Sequence, residues 1–523
     1  MATTDATRAE LPIILVRGFG GLGVEDEKKL AYYGFNDGTV YPQKRGENYI
    51  YEGMILRFLK SAWRYQDATN VIGYYGRPIA EVRDIPKELK GFPKEFFIDS
   101  KIVVDPGMAL AMRRNPDPNR TLWVFRYYDL DDRNFEQYGV ALKRLIELVR
   151  TLVAQKTGES QPKVNIIAHS MGGLIVRQAL QVAYRRGEAP KAVNKVVTLG
   201  TPHQGITFQR LGNLKWLPIL EARSEIAAFD PDEQAKKSNP AGFTNLAKSF
   251  PLERFLTVIG TNYRTFGVGP ATFLNRLFSV DNEFGLNYNR SDGLVKLASA
   301  GLPGAPRAFV HKCHGGEDSL ITSREAFEIA TRFFHGDIHV TLRLMDAQIS
   351  KGHDFLGRSE FFIGVSLKPR GVDFDLFHQS KEAENCYGPF HSERFDDAKV
   401  AFDWFGPDRR RRVLYEGWLD SGAAPANADD LVMRLETYVG ERDLFGIGFS
   451  DNLIHHGHCY VQARIDPTLR LAKHMGEKFT DDGLPLKQQA DRTWLLPIEG
   501  DGFRATFGIE LSFVPAVGDR ALV

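Results

Sequence analysis

The sequence predicts two parts in one chain: an α/β part with a mostly parallel sheet over residues 1–336, and an antiparallel, sandwich-like all-β part over 337–523. Three observations predict it. Short apolar runs alternate with helical spacing in the first part. The hydrophobic period changes to two after Gly336. One apolar run, Val164–Ala168, is followed at once by His-Ser-Met-Gly-Gly.

In the first part, Ile13–Val16, Leu122–Phe125, Val164–Ala168, Val196–Leu199 and Phe255–Ile259 are near-continuous apolar runs. Between them Tyr138, Ala141, Leu142, Leu145, Val149 and Leu152 recur at helical spacing, as do Ile175, Val176, Ala179, Leu180 and Ala183. Strands apolar on both faces, separated by amphipathic helices, imply a parallel sheet covered on both sides. In the second part Ile338, Val340, Leu342 and Leu344 alternate with polar residues. Phe503, Ala505, Phe507, Ile509, Leu511 and Phe513 do so over a longer span. Alternation buries one face of each strand, the mark of antiparallel sheets.

Two stretches break the βα rhythm: an insertion at about 24–119, rich in Tyr, Gly and Pro, and a segment at about 205–251 with Leu214, Trp216, Leu217, Ile226 and Phe229 among charges. Excursions of this length from a compact sheet are often lids or binding walls. The apolar residues of the second suit equally a packed core helix or a lid.

The chain of 523 residues is 43% hydrophobic and 25% charged, an ordinary globular composition. Lys plus Arg is 67 against 66 for Asp plus Glu, so no bulk field draws nucleic acid or an anionic membrane. Three widely spaced cysteines form no disulfide framework and suit a reducing compartment. With no charged leader at the N-terminus and no apolar run of about 18 residues, the expectation is a cytoplasmic protein without an integral membrane segment. The composition leaves the oligomeric state open.

The stretch AHSMGG at 168–173 has the form of a nucleophile elbow, G-x-S-x-G with Ala168 in the first place. A sharp strand-to-helix turn exposes the serine hydroxyl, and the small neighbours let the turn close. The helix N-terminus then aims the Met171 N–H at a developing oxyanion. Ser170 as an ordinary helix N-cap is the alternative.

The stretch AHSMGGLIVRQAL resembles the elbow of bacterial lipases and GPI inositol-deacylase-like lipases of the α/β-hydrolase fold. VVTLGTPHQG at 196–205, SDGLVKLAS at 291–299 and HGGEDSLITSREAFEIATRFF at 314–334 are similar to later family segments, in the same order. The resemblance covers about 11–23 and 120–336, and none of it falls in 337–523. It implies the order Ser, acid, His, met here by Ser170 as nucleophile, Asp292 as acid and His314 as general base. Ser-Asp-Gly is also ordinary turn chemistry. His311 is the rival of His314; the two glycines after His314 and the family register favour the latter. His203 precedes the acid and is a structural or pocket-lining residue.

By the same match the first strand leads into Arg17–Gly21, where the family has His-Gly, and the oxyanion donors are the N–H groups of Phe19 and Met171. Arg17 in place of His keeps the backbone role and removes any role of a His side chain. Gly18–Gly23 is a poor dinucleotide fingerprint, lacking an acidic ribose partner about 20 residues on, so no cofactor is expected. His455–Cys459 crowds three His and a Cys without a standard metal spacing, and reads as a surface loop entering a strand. Arg409–Arg412 reads as a solvated basic run.

The expected function is a serine hydrolase cleaving carboxylic esters, with a lipidic or apolar acyl group favoured by the family, through an acyl-enzyme. The partner is then a small ester or lipid, with at most transient contact at a lipid surface. An acyltransferase or amidase using the same triad is the alternative within enzymes. A binding or scaffold protein on a vestigial hydrolase fold is the alternative outside them.

Overall fold

A computed structural model describes residues 10–18, 51–61, 63–68, 85–96, 106–125, 135–204, 245–262, 291–315, 318–349, 360–370, 372, 374–379, 386–390, 412–420, 430–442, 453–466, 468–476, 479, 482–500 and 502–513. Most of the insertion at 24–119, nearly all of the segment at 205–251, and Arg409–Arg411 lie outside these residues. The chain groups by its contacts into two units: residues 1–306 with 312–327, and 307–311 with 328–523.

In the first unit the strands are β1 (Ile13–Val16), β2 (Gln66–Asp67), β3 (Thr121–Phe125), β4 (Val164–His169), β5 (Val193–Leu199) and β6 (Phe255–Gly260). They pair in the order β2-β3-β1-β4-β5-β6, and every pairing with a defined register is parallel. All residues of β1, β3, β4 and β6 are buried, as expected of strands covered on both faces. The winding reverses at β1. Ile14 stands beside Trp123 of β3 on one side and Ile166 of β4 on the other. Ligands of open α/β sheets bind at such a reversal, outside the carboxyl ends of the strands.

The longer helices among the described residues are α1 (Glu52–Lys60), α2 (Pro106–Arg114), α3 (Phe135–Thr157), α4 (Gly172–Gln178) and α5 (Arg324–His335). Helix α3 buries Tyr138, Leu142, Leu145, Val149 and Leu152, the stripe its spacing predicts. The helix expected to run on through Ala183 instead ends at Gln178 and continues as one π-helical stretch, Ala179–Ala183. Periodicity cannot detect that change, because a single wide turn leaves the apolar pattern intact.

The second unit contains β7 (Arg307–Val310), β8 (Ile338–Ile349), β9 (Glu360–Pro369), β10 (Phe377–His378), β11 (Tyr387–Phe390), β12 (Val413–Leu419), β13 (Asp430–Arg442), β14 (Leu453–Asp466), β15 (Thr468–His474), β16 (Leu484–Pro485), β17 (Lys487–Gln488), β18 (Trp494–Gly500) and β19 (Phe503–Phe513). One antiparallel sheet runs β10-β9-β13-β14-β15-β16, with β11 also on β9; the other runs β12-β8-β19-β18-β17. Val340, Ile509 and Phe513 of one sheet and Met433, Val461 and Leu471 of the other line one apolar cavity, so the two sheets face each other as a sandwich.

His455–Cys459 lies wholly inside β14, where a surface loop entering a strand was expected. Polar histidines hide the alternation there. The pairing of His455 with Val439 and Cys459 with Leu435 reveals it. Among the described residues no group of three or more His, Cys, Asp or Glu could hold a metal ion.

Candidate active site

Strand β4 ends at His169, and Ser170 takes the turn with φ +53°, the left-handed region that L-residues seldom enter. Its N–H donates to the Leu199 carbonyl at 2.9 Å, and Thr201 Oγ1 donates to the Ser170 carbonyl at 2.8 Å. The end of the neighbouring strand β5 thus holds the strained residue. A Cβ at Gly172 would stand 2.5 Å from the Arg17 carbonyl and 2.7 Å from that of Val16. A glycine is required there because the first turn of α4 is pressed against the end of β1.

Asp292 and His314 come from loops that follow the strands on the far side of β4. Ser170 Oγ lies 2.8 Å from His314 Nε2, and His314 Nδ1 lies 2.8 Å from Asp292 Oδ2. A second tie joins the loops: the His314 N–H donates to the Asp292 carbonyl at 2.8 Å. Asp292 Oδ1 accepts from the N–H groups of Leu294 (3.1 Å) and Val295 (2.7 Å), which leaves Oδ2 for the imidazole. A carboxylate only accepts, so His314 carries its proton on Nδ1 and offers Nε2 to the serine O–H. All three side chains are buried.

Room for this pair comes from Gly200 and Gly260. A Cβ at Gly200, which has φ +57°, would stand 2.8 Å from Asp292 Oδ2. One at Gly260 would stand 2.7 Å from the Asp292 Cβ.

Ser170, Asp292, His314 and Met171 are therefore brought together, and His314, not His311, is bonded to Ser170. Phe19 lies outside the described residues. Met171 stands at the N-cap of α4. His203 sits apart, with Nε2 2.9 Å from Thr198 Oγ1 and its ring edge-on to Phe255.

Two further residues complete the site without a signal in the sequence. Tyr51, at the start of α1, accepts the Gly18 N–H on its hydroxyl oxygen at 2.7 Å and lies 2.9 Å from His169 Nδ1. His169 Nε2 in turn lies 2.9 Å from the His314 carbonyl. Burial, and then the neighbouring His314 and Arg17, push the pKa of His169 down to about 3, so its ring is neutral at ordinary pH.

Strand order and the strand-turn-helix at Ser170 are those of the α/β-hydrolase fold. The family model for the PGAP1-like alpha/beta domain matches residues 107–212, from within α2 past the elbow and β5. Among solved structures, the chain is similar to the lipase BlEst2 of Bacillus licheniformis in its mature form. The identity is 14%, over 63% of this chain and 94% of that one, with a TM-score of 0.33. It is also similar to phospholipase PlaB of Legionella pneumophila: 12% identity over 90% of each chain, with a TM-score of 0.30.

Proposed function

We propose that this chain is a serine hydrolase of carboxylic esters that works through an acyl-enzyme. One observation carries the reading: the buried run from Ser170 Oγ through His314 to Asp292, with both contacts at 2.8 Å, built on a serine forced into the left-handed turn. His314 Nε2 takes the proton of Ser170 Oγ as the oxygen attacks the ester carbonyl. The tetrahedral intermediate collapses as the same nitrogen returns that proton to the leaving alcohol. Water then repeats the sequence on the acyl-enzyme and releases the acid. Asp292 holds the tautomer and stabilises the imidazolium. The N–H groups of Met171 and Phe19 are the donors for the oxyanion, each contributing about 3–4 kcal/mol in comparable sites.

A lipidic or apolar acyl group is the favoured substrate, supported by the match to the PGAP1-like domain and by the motif resemblance. Replacing Ser170 with Ala is expected to lower turnover of a p-nitrophenyl ester at least about 10⁴-fold while the protein stays folded. A fluorophosphonate probe should label Ser170 in the wild type. Full activity in the variant, or no labelling of the wild type, overturns the reading. A panel of esters of graded acyl length, with free alcohols as competing acceptors, then separates hydrolysis from acyl transfer and fixes the chain-length preference.

A further inference from the structure

We propose that Tyr51 and His169 are positioning residues, forming one hydrogen-bonded chain from the Gly18 N–H through the Tyr51 hydroxyl and the His169 ring to the His314 carbonyl. This chain holds the end of β1 and the base loop in register about Ser170. The inference rests on the reading of Ser170 and His314 given above.

The direction of every bond in the chain follows from chemistry. The His314 carbonyl can only accept, so His169 Nε2 carries a hydrogen and donates to it over 2.9 Å. The ring is neutral, as its depressed pKa requires, so Nδ1 has no hydrogen and accepts. Tyr51 must then donate its O–H to Nδ1 over 2.9 Å. A lone pair on the same oxygen takes the Gly18 N–H at 2.7 Å. No other assignment satisfies all three contacts with a neutral ring.

The chain also ends where it matters. Gly18 is packed on the nucleophile: a Cβ there would lie 2.7 Å from that of Ser170. Its N–H is occupied by Tyr51, so it orders the turn after β1 and leaves oxyanion donation to other N–H groups. At the other end, His169 is bonded to the backbone of the residue that serves as base. Both side chains are buried, Tyr51 at 2% exposure and His169 at 4%. A buried hydroxyl is costly unless paired, and a phenylalanine would supply the same packing without it. Helix α1, which Tyr51 caps, is fixed at two further points, one in the segment after His314 and one on α5. Arg57 Nη1 donates to the Thr322 carbonyl at 2.8 Å, and Phe58 meets Phe327 edge-on at 4.9 Å between ring centroids.

The test is Tyr51→Phe in the full chain, with active sites counted by fluorophosphonate titration. The expected result is a kcat per site lowered about 10–100-fold with KM within about twofold of wild type, because positioning acts on the transition state. Binding of an alkyl boronic acid, which forms a tetrahedral adduct on Ser170, should weaken by the same factor as kcat/KM. Binding of the carboxylic acid product should not change. A residue that only stabilises the fold would lower Tm and leave these ratios alone.

A second measurement does not depend on the variant folding. In ¹⁵N-histidine-labelled wild-type protein, His169 should appear as the neutral Nε2–H tautomer throughout pH 5–8, assigned by loss of its signals in His169→Gln. A wild-type kcat per site in Y51F, an Nδ1–H tautomer, or titration of His169 near its ordinary value overturns this inference alone. A wild-type protein that the fluorophosphonate leaves unlabelled overturns the reading of Ser170, and this inference with it.

Discussion

Ser170 spends its folded life in a backbone region that costs an L-residue about 1–2 kcal/mol, at φ +53°. The cost is local, so it is measurable by comparing two inactive variants. Ser170→Gly is expected to be more stable than Ser170→Ala by about 1 kcal/mol, since only glycine enters that region freely. Urea unfolding of the pair checks this, and equal midpoints would remove the strain from the account. The glycines at 172 and 173 were readable as space-makers beside the serine, because the elbow motif sets them next to it. Gly200 and Gly260 were not, since each serves an Asp292 that is distant in the chain. What a Cβ there would strike is known only once the loops are placed.

At the scale of elements, helix α1 is the least expected contributor. It lies inside the insertion at 24–119, which the sequence suggested as a lid or binding wall. Yet its Phe58 is fully buried between Tyr65 and Phe327. Phe58→Ala is expected to cost about 3–5 kcal/mol and to loosen the segment that carries Tyr51. Hydrogen exchange of the α1 amides and thermal unfolding measure the two effects, and an unchanged Tm would argue against α1 as a packed strut. Strand β14 gives the opposite lesson. Its histidines read as a loop because the strand periodicity in sequence is a hydrophobic signal. Pairing through backbone groups needs no hydrophobic side chain, so polar residues can complete a strand unseen.

At the scale of the molecule, near-neutral charge leaves the histidines as the main source of pH dependence between pH 5 and 8. His169 and His203 are both buried and held neutral, His169 with a pKa of about 3 and His203 well below its ordinary 6.5, by burial and then the nearby Arg177. Below pH 6.5 the unfolded chain binds protons at these positions that the folded unit does not. Stability is therefore fully present above pH 6.5 and is lost as the pH falls toward the depressed values. The slope approaches about 1.4 kcal/mol per pH unit for each histidine. The first unit should be less stable at pH 5.0 than at pH 7.5 by roughly 2 kcal/mol or more, measured by urea unfolding followed through exchange of the β1 and β4 amides. A flat response over that interval would contradict the burial of two neutral imidazoles.

The sequence by itself determined the α/β and all-β character of the two parts, the strand-turn-helix motif at Ser170, and the order in which Asp292 and His314 follow it. These are local properties: period, turn chemistry and motif spacing act over a few residues and survive without a neighbour. The tertiary structure joined His314, which the following glycines and the family register favoured over His311, to Ser170, and it alone decided that Gly200 and Gly260 clear space for Asp292. It alone brought Tyr51 and His169 into one line between Gly18 and His314. Each of these depends on hydrogen bonds and close approaches between residues about 30 to 150 apart in the chain, and no local pattern encodes which distant group will arrive within 3 Å.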